Sequence, residues 1–170
     1  MWNYTGQSRP DFAEEPGPGQ ESVWDYPRPP SLVECDSLVE VKMADIVIAS
    51  TTASLRVLET ASPPTYYLPP DAVDLSRLVR TEDSSWCEWK GRATYWALAG
   101  HPHGTPVGWS YEGPNERFAK IDGYLSFYPA QLECYVDGER VRPQPGAFYG
   151  GWVTSRVVGP FKGEPGTGHW

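Results

Sequence analysis

Proline and glycine interrupt this chain so often that no long helix can form in it. The 170 residues include 18 prolines and 17 glycines, about a fifth of the total. Proline removes a backbone donor and clashes with the preceding helical turn. Between these interruptions the apolar residues fall in short runs, a pattern that predicts many brief strands joined by turns. Aromatic residues make up 14% of the sequence, which supplies a core for one domain but leaves too little chain for two. The fold class expected from the residues is mainly β and antiparallel, either a sandwich or two small sheets meeting at an angle, with one or two short helices.

Residues 38–43 (LVEVKM) and 46–49 flank a turn at Ala44-Asp45 and predict a hairpin. Residues 55–60 predict a strand with Leu55, Val57 and Glu59 on one face and Arg56, Leu58 and Thr60 on the other. Residues 66–68 form a short extended piece stopped by Pro69-Pro70, and residues 71–79 predict one or two helical turns. Further strands are expected over 92–98, 107–111, 124–128 and 132–136, with a short helix over 114–121 that turns Phe118 and Ile121 inward. Asp137-Gly138 is the strongest hairpin turn in the chain, with the return starting at Arg140-Val141. Around this body, residues 1–20 read as a flexible arm and 21–36 as an extended strap anchored by Trp24 and Tyr26. The domain itself spans 37–142, and 143–170 form a Gly/Pro/aromatic tail packed on the domain or on a partner subunit.

Several function classes are disfavoured at once. A net charge of −8 repels phosphate backbones, so nucleic acid is not expected as a partner. No apolar run is long enough to span a bilayer, so no membrane is expected either. The opening MWNYTGQSRPDF lacks the basic and apolar regions of a secretory signal. Cys35, Cys87 and Cys134 are too widely spaced for a disulfide framework. Reduced thiols in a cytoplasm are the simplest reading.

One group of segments is specific enough to carry a family resemblance: residues 55–60 (LRVLET), 66–69 (YYLP), 87–91 (CEWKG) with Tyr95-Trp96, 109–111 (WSY), 127–129 (FYP) and 159–163 (GPFKG). Together they resemble the domain-of-unknown-function family 427, over nearly everything from Glu21 to Trp170. The resemblance implies a β-tent-like domain, a shape shared with methionine-sulfoxide-reductase-like and zinc-binding regulatory domains, and no established activity. A nucleotidyltransferase label sometimes attached to the family finds no support in the residues. The sequence has no Gly-Ser followed by an Asp-x-Asp pair to hold two metals and a triphosphate.

Residues 84–96 (SSWCEWKGRATYW) hold the densest candidate chemistry, although no complete catalytic motif is present and enzymatic activity is left open. Cys87 and Lys90 are close enough in sequence for an ammonium to activate a thiol, but a small buried Cys beside a surface or ion-paired Lys explains the pair more simply. No metal is expected. Zinc-bearing β-tent domains use paired Cys-x-x-Cys knuckles, whereas here Lys90 stands where the second Cys would be and His101-Pro102-His103 reads as an exposed loop. Glu59 is the odd carboxylate on an apolar face, and Lys90 is its natural partner. That pair fits an acid/base couple and a structural salt bridge equally well. Arg56, Tyr66, Tyr67, Trp89, Tyr95, Trp96, Trp109 and Tyr111 are the candidate ligand-binding residues. The 159–163 segment lacks P-loop spacing and reads as a packing tail, though its Phe161-Lys162-Gly163 echoes Trp89-Lys90-Gly91. The function expected is binding of a small polar or anionic molecule in an aromatic-lined cleft, with no cofactor. The alternative is a non-catalytic homodimeric interaction module.

Overall fold

Short apolar runs bounded by proline and glycine become short strands in the computed structural model, which describes residues 1–146 and 149–170. In chain order these are β1 (Glu21–Ser22), β2 (Ser31–Cys35), β3 (Val39–Met43), β4 (Ile46–Thr51), β5 (Ser54–Leu58), β6 (Thr65–Tyr67), β7 (Leu78–Cys87), β8 (Gly91–Leu98), β9 (Gly108–Tyr111) and β10 (Leu125–Phe127). They continue with β11 (Glu133–Val136), β12 (Glu139–Arg140), β13 (Arg142–Pro143), β14 (Trp152–Val153) and β15 (Val157–Val158). The helical elements among the described residues are all 3₁₀ turns, at Val23–Asp25, Pro70–Ala72, Leu75–Arg77 and Glu116–Ile121. The fold is therefore mainly β.

Three antiparallel sheets of three or four strands, ordered β2-β5-β6, β12-β11-β3-β4 and β10-β9-β8-β7, make up most of the fold. Two ribbons, β1-β15 and β13-β14, complete it. The first and third sheets are stitched together where Leu68 and Leu125 exchange backbone hydrogen bonds of 2.8 and 2.9 Å. Turn chemistry sets several boundaries. Asp137 and Gly138 both take positive φ (47° and 82°), the two-residue geometry that suits a twisted hairpin, and so join β11 to β12. Asn115 precedes the Glu116–Ile121 turn, which buries Phe118 and Ile121.

The tail does more than pack on the outside. Trp152 on β14 is fully buried in the main core, stacked on Tyr66 at 4.8 Å, and its indole N–H donates to the Phe127 carbonyl at 2.9 Å. Residues 21–36 are also more regular than an extended strap. Ser22 caps a 3₁₀ turn by accepting from the Trp24 amide at 3.2 Å, and β2 pairs with β5 along five registered positions. Trp24 and Tyr26 are buried in a separate cluster with Val23, Leu58, Ala61 and Val157. Tyr4, Phe161 and Trp170 pack against it, so both ends of the chain meet there.

Strand β7 has no counterpart in the sequence reading, and the cause is physical. It is an edge strand, exposed along most of its length, so its polar 81–85 stretch shows neither alternation nor an apolar run. A bulge between Arg80 and Ser84 breaks its register with β8. Beyond the bulge the β7–β8 hairpin projects toward the β5-β6 sheet, and a third cluster fills the space between them. It includes Leu55, Val57, Tyr67, Trp109, Tyr111 and Phe118.

Candidate functional site

Cys87 pairs with Gly91 across the tip of the β7–β8 hairpin, leaving Glu88, Trp89 and Lys90 as the loop. The loop closes because Gly91 adopts φ 101°, a conformation that residues with a side chain rarely accept. Asn115 then pins it: its amide donates to the Lys90 carbonyl at 3.2 Å and its side chain to the Trp89 carbonyl at 2.9 Å. The Lys90 side chain is thereby turned inward and only 8% of the residue is exposed. Its ammonium lies 5.6 Å from the centre of the Tyr111 ring and 5.8 Å from that of Phe118.

The echo at Phe161-Lys162-Gly163 repeats this device. Gly163 has φ 120°, and a Cβ there would run into the Pro145 carbonyl. The backbone of Lys162 is held on both sides, donating to the Ala61 carbonyl at 2.8 Å and accepting from the Gln144 side chain at 2.7 Å. Each lysine followed by a left-handed glycine faces the same cleft, a cavity of about 350 Å³. That volume is at the small end of ligand pockets.

Glu59, Cys87, Tyr67, Trp89, Tyr95, Trp109 and Tyr111 line this cleft together with Lys90. Arg56, Tyr66 and Trp96 do not, and one rule places all three. Side chains alternate along a strand, so the neighbours Val57, Tyr67 and Tyr95 take the cleft face and these three take the other. Arg56 pairs with Glu21 at 2.8 Å in a separate depression shared with Tyr66 and Arg156. The Trp96 indole donates to the Ser110 hydroxyl at 2.9 Å and packs against the main core.

The expected Glu59–Lys90 ion pair does not form. Glu59 instead meets Arg28, whose side chain is 1% exposed, at 3.4 Å. Arg28 also donates to the main-chain oxygens of Tyr4, Thr60 and Trp170 at 3.1, 3.0 and 3.0 Å. Its guanidinium stacks 4.1 Å from the centre of the Trp2 ring, which is a wall of the cleft. Sequence reasoning passed over Arg28 because it sits in a proline-rich stretch with no strand period. It passed over Trp2 and Lys162 because they come from the two ends of the chain. The lysine-glycine echo at Trp89-Lys90-Gly91 and Phe161-Lys162-Gly163 is the signal that could have found Lys162.

Electrostatics separate the two lysines. Burial disfavours the Lys90 ammonium, but the combined pull of Tyr67, Cys87 and Glu59 outweighs it and holds Lys90 above its ordinary value. Cys87 interacts electrostatically with both Lys90 and Tyr111. Lys162 is held below its ordinary value by burial and by the Arg28 guanidinium, with Glu59 and Glu88 opposing. Among the described residues no Asp or Glu carboxylate comes within salt-bridge distance of either lysine, while the Lys162 ammonium donates to an oxygen of Trp170, the last residue of the sequence, at 3.1 Å. The phenols are kept neutral: burial raises Tyr67, Tyr111 and Tyr128. Tyr67 also accepts from the Trp109 indole N–H at 3.0 Å, and the Tyr95 hydroxyl is 2.7 Å from that of Ser85. At the mouth stands Trp86, 72% exposed. No group of three or more potential metal ligands occurs among the described residues, and His101 and His103 lie on an exposed loop away from the cleft. No described helix is long and apolar enough to cross a membrane.

A family model described as a domain of unknown function (DUF427) matches residues 31–138, a narrower stretch than the resemblance from Glu21 to Trp170. No curated protein matches the chain. The matched stretch contains Glu59, Cys87, Lys90 and most of the aromatic walls, while Trp2, Arg28 and Lys162 lie outside it.

Proposed function

The chain belongs to the DUF427 family, and we propose that it binds a small organic anion in the cleft, with Lys90 as the counter-ion and the aromatic walls as the platform. One observation carries this reading. Lys90 is nearly buried against aromatic faces, yet no carboxylate is placed to neutralise it. The surroundings favour the charged form of Lys90 without a carboxylate in contact with it, which leaves the direct ion-pairing position to a ligand anion. Lys90 is held above its ordinary value, which favours a role as a positive charge. Trp109, fixed by Tyr67, offers a rigid edge for an apolar ligand body.

A homodimeric interaction module is the second reading. It is favoured by Trp86, exposed on edge strand β7. The same side chain borders the mouth of the cleft, where it suits stacking on a ligand, so the first reading explains it too. A net charge of −8 argues against a nucleic-acid partner, and three free thiols favour a reducing compartment such as the cytoplasm.

The test is a thermal-shift screen of small carboxylates, phosphates and matched neutral analogues on the native chain and on Lys90→Gln. The expected result is stabilisation by one class of acids that is lost in Lys90→Gln. Stabilisation by neutral analogues alone, or equal shifts in the variant, defeats the reading. A monomer-dimer equilibrium abolished by Trp86→Ser, with no ligand response, favours the second.

A further inference from the structure

We propose that the ligand is an amphipathic carboxylic acid, with its carboxylate on Lys90 and its apolar tail running over the Trp109 and Tyr128 rings into a second, uncharged cavity. The proposal deepens the anion reading of Lys90 and rests on it.

The second cavity has a volume of about 320 Å³ and shares Tyr95, Tyr128, Gln144 and Tyr149 as walls with the cleft. Beyond these it is walled chiefly by the Thr105-Pro106 segment, the Pro129-Ala130 turn and Pro143. No charged side chain lines it among the described residues, whereas Glu59, Glu88, Lys90 and Lys162 all line the cleft. Three further depressions elsewhere on the molecule each carry charged side chains too. Charge is therefore gathered in one cavity and absent from its neighbour. A molecule that fills both needs a charged end and an apolar end.

An aromatic track joins Lys90 to the second cavity. From the Lys90 ammonium the centre of the Tyr111 ring is 5.6 Å away, and from there the Tyr67 ring is 6.3 Å away. Tyr67 is 6.2 Å from Trp109, and Trp109 is 4.6 Å from Tyr128, again between ring centres. All four rings line the cleft, and Tyr128 lines the second cavity as well. The track is held in place. Trp109 pairs directly with Tyr95 across β9 and β8, which puts both on one face. A Cβ at Gly150 would run into the Trp109 ring and press on Tyr128, so the bare backbone there backs both rings. The Tyr128 amide donates to the Val107 carbonyl at 2.9 Å, and the Gln131 amide to the Tyr128 carbonyl at 2.9 Å. These bonds tie together the two segments that wall the second cavity. Tyr95, Pro106 and Tyr128 remain only half-buried, so a tail laid on them removes apolar surface from water.

The experiment is calorimetric titration of the full chain with butyrate, hexanoate, octanoate and decanoate, and with 1-octanol, each kept below the concentration at which it self-associates. A methylene buried in an apolar site strengthens binding by about fourfold. The expected result is an affinity that climbs roughly tenfold or more from butyrate to octanoate, with octanoate bound roughly tenfold or more tighter than 1-octanol. Thr105 is exposed and lines the second cavity but not the cleft. Thr105→Trp should therefore cost octanoate roughly tenfold more than it costs butyrate, whereas Lys90→Gln should weaken both acids by a similar factor. A series that stays flat from butyrate to decanoate overturns the proposal in the native chain without reliance on any variant. Octanoate binding that is unaltered in Thr105→Trp overturns it too. The two readings fail differently. If 1-octanol binds as tightly as octanoate and both weaken in Thr105→Trp, the cavity takes a tail but Lys90 is not the anion site, and the acid is overturned as the ligand class. If butyrate binds through Lys90 and added methylenes gain nothing, the anion site stands and the tail is overturned.

Discussion

The Lys90 ammonium stands 5.6 Å from the centre of the Tyr111 ring, inside a cleft that offers it aromatic faces and no salt bridge. A cation over a ring contributes about 0.5–2 kcal/mol, and the burial of the charge works against it. Lys90→Gln is therefore expected to change the urea unfolding free energy by about 1 kcal/mol or less while removing ligand response. A loss above about 3 kcal/mol, the scale of a broken buried ion pair, would mean that Lys90 holds the fold and not a ligand.

Arg28 has the opposite role. It joins Glu59 on the cleft to main-chain oxygens from the N-terminal segment and the C-terminal tail. Truncation to Ala leaves Glu59 without its partner and the Tyr4 and Thr60 oxygens without this donor, so Arg28→Ala should destabilise by about 3–5 kcal/mol. Lys at this position keeps the charge but cannot reproduce the fork of donors, so Arg28→Lys should recover only part of that. Equilibrium denaturation of both variants checks this, and a cost for Arg28→Ala no larger than for Lys90→Gln would refute it.

The contrast between these two residues also marks what was readable in the sequence. Lys90 sits in a local motif, beside Trp89 and before Gly91, so one short segment displays its setting. Glu59 announces itself as a carboxylate in line with Leu55 and Val57. Its partner does not, because Arg28 reaches it from a proline-rich turn with no period to read. The alternation rule placed Glu59 and Arg56 on opposite faces. The same rule applied to Tyr66-Tyr67 and Tyr95-Trp96 separates cleft from core, since one member of each pair must face away. The hairpins at Ala44-Asp45 and Asp137-Gly138 were legible because turn chemistry is local. Strand β7 was not, because an edge strand with two wetted faces leaves no hydrophobic signature. The core position of Trp152 was hidden for a related reason: it is set by a long-range contact with Tyr66 and the Phe127 carbonyl.

The floor of the cleft depends on one hydrogen bond. Tyr67→Phe removes the hydroxyl that accepts from the Trp109 indole at 3.0 Å and leaves a buried N–H without its acceptor. The expected loss is about 1–3 kcal/mol, together with a change in tryptophan fluorescence as Trp109 loses its anchor. An unchanged stability and spectrum would show that the bond does not fix the indole.

Stability should fall on the alkaline side. Burial holds the Tyr66 phenol up to about 12 against an unfolded value of 10.0. A group raised in this way contributes stability in full below its unfolded value, and that contribution is lost as pH rises through the folded one. Tyr67, Tyr111 and Tyr128 are raised as well, so their losses add in the same direction. Denaturant midpoints measured from about pH 7 to about pH 12 should stay level at first and then decline from about pH 10, with a shallower decline in Tyr66→Phe. A midpoint that does not fall by the end of that range contradicts the buried-phenol assignment.

The most direct test of the cleft as an anion site is calorimetric titration of the best acid from the thermal-shift screen into the native chain, Lys90→Arg and Lys90→Gln. A hydrogen bond to a charged group contributes about 1.5–3 kcal/mol. Lys90→Gln should therefore weaken binding by roughly 10- to 150-fold, with part of the affinity restored by Lys90→Arg. An affinity that is the same in all three proteins would contradict the assignment of Lys90 as the counter-ion.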